Sequence, residues 1–410
     1  MRAARAAVAT GLGLAVLCAG IWWGGHPGDL PDPLRDLFVD ETTTLTGEAA
    51  EDIEDHYFRE IDRPDLNDAS INGMVEALRS RYEDRFSHYF DPRQLRRFED
   101  ATKGRFSGVG LTVSEVKRGL RVARVFRGAP AARAGIDVGD LIVSVDGRKI
   151  AGESSEVSTA KIKGKPGTSV TLGVLRPSTG ERRQVMVERA RITIPVVERN
   201  LRHAGGELVG YARLASFTEG AHAALRNALE YLERRGAKGM VLDLRGNGGG
   251  LLREAILNAS IFLPNGEVVV STDARTEGRR VYRAEGDNLP SRPMVVLINH
   301  DTASAAEILA SALADHGLAK VVGTRSFGKG VFQEVIDLSN GGALELTIGE
   351  YFTADGTSLA DRGIRPDVRA EDRPTTKPDE GLQRALGVLG GELQTARRRQ
   401  QKAEGESGKG

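Results

Sequence analysis

The sequence predicts a mixed α/β protein in three parts. An α/β core with a parallel-containing sheet and flanking helices follows a module of short strands, and a small helical region precedes both. Three observations carry this reading. Between residues 207 and 365, apolar strand-like runs alternate with helical patterns, as βαβ crossovers require. Between 104 and 190, short strands are punctuated by Gly-rich turns. Between 41 and 103, apolar residues recur at helical spacing alone. At 410 residues the chain has room for more than one core. Net charge is zero, so no basic stripe points to nucleic acid. The only cysteine is Cys18, which excludes a disulfide framework and a cysteine-based metal site.

Residues 1–25 read as a targeting segment. Arg2 and Arg5 precede an apolar run from Ala6 to Trp23, which as a helix would extend about 27 Å. Asp29, Asp32, Asp36 and Asp40 follow it, and that asymmetry predicts an inside N-terminus with the remaining chain extracytoplasmic. An uncleaved anchor is expected, with a cleaved signal peptide after Cys18-Ala19-Gly20 as the alternative. Residues 26–40, with Pro27, Pro31 and Pro33, form a linker. In the helical region 41–103, Ile53, Tyr57 and Phe58 share one helical face, and Met74, Val75, Leu78 and Tyr82 another. Asp68-Ala-Ser70 is expected to cap the second helix. His56 and His88 are assigned no chemistry.

In the 104–190 module, Phe106-Ser-Gly-Val-Gly-Leu111 opens a strand and Leu120–Val125 supplies another. Gly128–Gly135 reads as a short helix with a glycine stop. Gly139–Gly147 is a strand running into an Asp-Gly turn, and Ser169–Val174 alternates as a strand. Together these segments, and Ala134-Gly-x-x-x-Gly-Asp140 in particular, resemble a PDZ domain, a β-sandwich-like fold. The resemblance implies that the backbone of Gly108, Val109 and Gly110 forms a nest for a peptide's terminal carboxylate. It also places Lys163 where relatives often carry Arg.

The core spans 191–370. Val209–Leu214 is a strand, and in the helix Glu219–Arg235 the residues Ala221, Leu225, Leu229 and Leu232 line one face. Met240–Leu244 reads as a buried strand leading into Arg245-Gly-Asn-Gly-Gly-Gly250 and a helix over 251–262. Phosphate sites are built from such a loop, but no Gly-Lys-Ser/Thr follows, so nucleotide binding is not expected. Glu267–Val270 and Met294–Ile298 are expected to continue a parallel sheet. Residues 273–290 read as a flap over the site. Val331–Leu338 and Ala343–Phe352 read as a hairpin covering the loop before it. Residues 371–410 form a polar extension, with a helix over 381–393 and a disordered composition from Arg397.

The chemistry is concentrated in 293–333. The buried strand Met294–Ile298 turns through Asn299-His-Asp-Thr-Ala-Ser304 into a helical pattern, so Ser304 stands at a helix N-terminus, where N–H groups and the dipole favour an anionic intermediate. A serine needs a base, and Lys329, in the Gly-flanked turn Ser326-Phe-Gly-Lys-Gly330, is the candidate. Asn299-x-x-Thr-Ala-Ser304-Ala-Ala-Glu307 with Gly323-Thr-x-x-Phe-Gly-Lys329-Gly-x-x-Gln333 resembles the carboxyl-terminal processing peptidases. The resemblance runs from about residue 45 to about 370. It implies Ser304 as nucleophile, Lys329 as general base, Gln333 as its positioner and Glu307 close by. It further implies an oxyanion hole made by a glycine N–H of the 246–250 loop, assigned to Gly249 over Gly250, and the Ala305 N–H. Thr302, Ala306 and Gly248 replace two serines and a proline of the commoner pattern. Asp243 and Arg245 are expected to hold the loop locally.

The expected function is therefore an exported serine endopeptidase that binds protein C-terminal tails through its PDZ domain and cleaves peptide bonds without metal or cofactor. Its expected partners are polypeptides with accessible C-termini and a membrane, and a homo-oligomer is compatible with the chain. A Ser-His-Asp hydrolase using His300 and Asp301 is disfavoured, because groups so near Ser304 across a tight turn cannot reach triad geometry. A trypsin-like PDZ protease is excluded, since Gly246-Asn-Gly-Gly-Gly250 contains no serine. The remaining rival is a catalytically silent PDZ scaffold.

Overall fold

The computed structural model describes residues 41–360, 362–371 and 379–407. The expected anchor and linker lie outside the described residues, and no helix among those described is long and apolar enough to cross a membrane. The described residues divide into two compact units, those up to Asp91 with 335–346 and those of 92–334 with the ones from 347 onward.

The first unit holds α1 (Glu41–His56), α2 (Arg63–Tyr82) and β1 (His88–Phe90). Pro64 sits in the first turn of α2, where its missing N–H is harmless. The helix therefore starts earlier than expected, and Asp68–Ser70 lie inside it instead of capping it. Asp68 instead accepts from the Tyr89 hydroxyl at 2.6 Å, and Asn340 donates to the same hydroxyl at 2.7 Å. β1 pairs antiparallel with residues 343–345. The expected apolar faces do not close into a core: Ile53, Tyr57, Phe58, Met74 and Tyr82 are exposed, and α2 buries no residue.

The second unit opens with α3 (Pro92–Thr102), which the sequence had grouped with the helices before it. β2 (Arg105–Gly108) pairs antiparallel with β9 (Ala190–Thr193), so the two ends of the strand module meet. Between them lie β3 (Leu111–Val116), β4 (Gly119–Val125), α4 (Pro130–Arg133), β5 (Leu141–Val145), β6 (Arg148–Lys149), α5 (Ser155–Ile162), β7 (Ser169–Leu175) and β8 (Arg182–Glu188). The sheet order is β3-β4-β5-β7-β8, with β6 paired to β5. Asp146 and Gly147 both have positive φ, 47° and 77°, as a tight two-residue hairpin turn requires. Leu120, Ile142, Ile150, Leu172 and Val174 fill this module's own core.

The α/β core comprises β10 (Val197–Ala204), β11 (Glu207–Leu214), α6 (Ala221–Arg234), β12 (Met240–Asp243), α7 (Leu252–Ala259), β13 (Val268–Ala274), β14 (Gly278–Arg283), β15 (Met294–Ile298), α8 (Ala305–Asp315), β16 (Lys320–Gly323), β17 (Val331–Asp337), β18 (Ala343–Phe352), β19 (Val368–Arg369) and α9 (Glu380–Ser407). One sheet runs β10-β11-β12-β15-β16-β19, parallel from β11 onward. Side chains alternate across it. Leu242, Val296 and Ile298 join the cluster that holds Leu225, Leu229, Ile256 and Leu309 of the helices α6–α8. Val241, Val295 and Leu297 join Ala385, Leu386, Leu389 and Leu393 of α9. Burying each such leucine contributes about 1.5–3 kcal/mol.

Three sequence expectations are corrected here. β13 is not part of the parallel sheet; it pairs antiparallel with β14 and with residues 349–352. The flap expected over 273–290 is β14 followed by a pinned segment, where Glu285 N–H donates to Ser260 Oγ at 2.9 Å and Leu289 N–H to the Ile261 carbonyl at 2.7 Å. The helix expected over 381–393 is present as Glu380–Ser407 and continues past Arg397, where a tail was expected, and its apolar residues at helical spacing cover one face of the sheet.

Candidate active site

The loops after β12 and β15 leave the carboxyl ends of neighbouring parallel strands, where open α/β sheets bind ligands. Ser304 stands on the second loop, immediately before α8, with φ 54° and ψ −121°. A positive φ on a serine is strained, and it marks a sharp strand-to-helix turn that presents the side chain. Ala305 is the first residue of α8, where an N–H has no acceptor within its own helix.

Glu307 ties this turn to the loop that carries Lys329. Its side chain is fully buried. One carboxylate oxygen, Oε2, accepts the backbone N–H of Ser304 at 2.8 Å and that of Lys329 at 3.0 Å. The two amide nitrogens therefore lie within about 6 Å of each other. Oε1 accepts the Ser326 hydroxyl at 2.6 Å and the Gly328 N–H at 2.7 Å. Burial pushes the Glu307 carboxyl above its ordinary range, and these four donors pull the other way. The Phe327 N–H adds a further tie, donating to the Thr302 carbonyl at 2.9 Å. Lys329 itself is half-buried.

Gln333 Nε2 donates to Thr347 Oγ1 at 3.1 Å, which holds the amide on its strand. Gly249 lies against Ser304: a Cβ built there would stand 2.9 Å from Ser304 Cβ and 3.1 Å from Ala305 N. Only glycine fits, and its φ of 101° demands the same. Its own N–H donates to Asn247 Oδ1 at 2.9 Å, so it reaches an oxyanion only on giving up that bond. Asn247 is buried and anchored through Nδ2 to the Leu214 carbonyl at 2.8 Å.

Asp243 and Arg245 pair as expected, at 2.7 Å, and the pair is larger than expected. Tyr211 donates to Asp243 at 2.8 Å, and Asp379, at the start of α9, takes Arg245 at 2.8 Å. The triad rival finds no support in geometry: His300 is 81% exposed and pairs with Asp301, while His316 Nε2 meets the Val268 carbonyl.

In the strand module, Val109 buries its side chain in the core and leaves only backbone to a ligand. Gly110, at φ 83°, packs where a Cβ would overlap Ala129. Lys163 Cγ lies 4.0 Å from the Cβ position of Gly108, beside the expected nest. Asn247, Thr302 and Ser326 were quoted in the motifs without a role. Their only sequence signal is a small polar residue inside the loops flanking Ser304 and Lys329.

A serine on a strained strand-to-helix turn, locked through a buried glutamate to a lysine loop and joined to a peptide-binding type of β module, defines a class: serine-type peptidases with a PDZ domain. The chain belongs to peptidase family S41, whose pattern matches residues 208–370, and a PDZ domain matches residues 107–188. It is 34% identical over 323 residues to carboxy-terminal processing protease CtpA of Bacillus subtilis, covering 79% of this chain and 68% of that one. It is 38% identical over 316 residues to the carboxyl-terminal-processing protease of Picosynechococcus sp., covering 75% and 76%. Among solved structures it is similar to the photosystem II D1 C-terminal processing protease, with 29% identity and a TM-score of 0.51, covering 85% of this chain and 98% of that one.

Proposed function

We propose that this serine peptidase is an exported, membrane-anchored endopeptidase that captures protein C-terminal tails on its PDZ domain and cleaves them with a Ser304–Lys329 dyad. The observation that carries the dyad is the single Glu307 oxygen accepting both the Ser304 and the Lys329 N–H. A contact of that kind sets the two loops in register before substrate arrives.

In this mechanism a neutral Lys329 amine takes the Ser304 hydroxyl proton as Oγ attacks the scissile carbonyl. The tetrahedral oxyanion is held by the Ala305 N–H and by Gly249, once Gly249 releases Asn247. Lys329 gives the proton to the leaving amine, and water, activated by the same lysine, hydrolyses the acyl-enzyme. Gln333, fixed by Thr347, orients the lysine. In the PDZ domain the Gly108–Gly110 backbone receives the tail's carboxylate, with Lys163 beside it. Export and anchoring rest on the charge asymmetry around residues 6–23.

The test is cleavage of an unfolded protein by the full chain, beside Ser304→Ala and Lys329→Ala. Both variants should lose kcat by at least about 1000-fold while still binding C-terminal peptides. Cleavage surviving either change rejects the dyad. Peptide binding with no cleavage by the wild type favours the scaffold. Amidating the peptide's terminal carboxylate should weaken binding, and unchanged affinity counts against the nest.

A further inference from the structure

The PDZ domain carries a second concavity that shares no residue with the Gly108–Gly110 nest. It is a cleft of about 430 Å³ on the sheet, with no acidic residue in its lining. The register explains its shape. Lys149 on β6 pairs with Ser144 on β5, Ser144 with Gly173 on β7, and Gly173 with Gln184 on β8. Paired residues share a face, so these four stand in one row across four strands. Arg182, two residues before Gln184, stands on the same face of β8, and Arg118 reaches the cleft from the β3–β4 turn.

The row is hollow at its centre because Gly173 has no side chain. A Cβ there would fall 2.1 Å from Ser144 Oγ and 3.4 Å from Gln184 Nε2. The backbone of Gly173 is not in the left-handed region. Space, not conformation, is therefore what glycine supplies. The floor is thus a hydroxyl and an amide, and the rim is cationic. Arg118, Lys149 and Arg182 make no ion pair and no side-chain hydrogen bond among the described residues. The neighbouring charges are engaged elsewhere. Asp146 accepts the Thr171 N–H at 2.8 Å, and Arg183 is 3.9 Å from Asp140.

We propose that this hollow is a binding site for a phosphate-bearing ligand. A carboxylate has one charge and two in-plane oxygens, which one arginine fork satisfies. Three unpaired cations around a polar floor call for more acceptor oxygens, arranged in three dimensions, as a phosphate or phosphate ester presents them. The shared chemistry covers a soluble phosphate and a phospholipid headgroup.

The test uses the full chain in neutral detergent at constant ionic strength, set with chloride so that general screening is matched. Inorganic phosphate is titrated by calorimetry into wild type, the double variant Lys149→Gln with Arg182→Gln, and Arg148→Gln, whose side chain leaves the opposite face of β6. The double variant should lose about tenfold or more in phosphate affinity. Arg148→Gln should keep it, and all three should cleave an unfolded protein at equal rates. Micelles doped with phosphatidylglycerol separate the sources. Displacement of phosphate by doped but not undoped micelles assigns a lipid headgroup, and failure to displace assigns a soluble phosphate. No phosphate binding by the wild type, or equal binding by the double variant, overturns the proposal.

Discussion

Two buried glutamates in the same unit hold helix N-termini by different means. Glu254, on α7, reaches across to α6: its carboxylate accepts the Gly220 N–H at 2.7 Å, the His222 N–H at 2.8 Å, and faces His222 Nδ1 at 2.9 Å. All its partners come from one helix end. Glu307 collects donors from the Ser304 turn and from Ser326, Gly328 and Lys329 of the other loop. Both are caps by the same physics, an anion satisfying orphan N–H groups. They differ in what they join. Glu254 fastens scaffold to scaffold, and Glu307 fastens the turn that carries Ser304 to the loop that carries Lys329. A buried carboxylate is expensive unless fully hydrogen-bonded, so four donors on Glu307 indicate an ionised group whose charge is kept for positioning.

The largest effect on activity should therefore come from Glu307→Gln, which turns an NH2 toward N–H donors. Stability should fall by about 2–3 kcal/mol, and kcat by about 100-fold or more, because small misplacements of reacting groups cost that much. Peptide binding at the PDZ domain should be unchanged. pH sharpens the point. Burial raises the Glu307 carboxyl, so the folded chain holds that proton more tightly than the unfolded chain does. This residue's contribution thus makes stability fall as pH rises from the ordinary carboxylate range through the raised native value. Activity has the opposite slope, since protonation removes acceptors from the donors that set the site. Urea midpoints across the mildly acidic range should show the falling slope in wild type and not in the variant. There kcat should rise more steeply in wild type than in the variant, which keeps only the rise due to the proposed base. Parallel slopes would sink the positional role.

Arg245→Ala tests a third way of keeping a buried acid. Burial pulls the Arg245 guanidinium down, but the hydrogen bonds it donates to Asp243 and Asp379 more than offset this and leave it above its ordinary value. Without it Asp243 is a buried, uncompensated charge, and chemical denaturation should reveal a loss of about 3–5 kcal/mol. If kcat falls in proportion to the loss of Glu307, the Gly-rich loop depends on this pair as much as on Asn247.

Much of this was legible locally. The apolar runs of β12 and β15, the helical face of α6, and the Ser304–Glu307 and Lys329–Gln333 spacings follow from short-range periodicity and motif. What was not legible depends on partners far along the chain. β13 has a strand-like sequence wherever it lies, and its antiparallel pairing with β14 and with residues 349–352 removes it from the parallel sheet. A helix over 381–393 was legible, but not that Ala385, Leu386, Leu389 and Leu393 on one of its faces meet the sheet. The reach of Asp379 to Arg245, and of Ser326 to Glu307, likewise needs tertiary closure. Conversely, the apolar faces read along α1 and α2 stay largely exposed: periodicity specifies a face, not its occupant.

Ser326→Ala removes one of the four donors to Glu307 and also the acceptor of the Ile364 N–H, bonded at 2.6 Å. An unsatisfied buried N–H costs about 1–3 kcal/mol. With three donors left on Glu307, kcat should fall only about tenfold and KM should hold. A loss as large as that of Glu307→Gln would mean that Ser326 acts on the reacting atoms.

The smallest effect is expected from Glu254→Gln. The amide keeps one acceptor for α6 and turns its NH2 toward the other N–H, so the loss should be near the usual value of a helix cap, about 1 kcal/mol. Neither Gly220 nor His222 belongs to the loops that carry Ser304 or Lys329, so kcat should stay within about twofold of wild type. Thermal unfolding and steady-state cleavage on the same preparation measure both. The comparison fails if this variant loses activity without losing stability, because α7 begins just after Gly250, and such a result would mean that Glu254 tunes the oxyanion loop from behind.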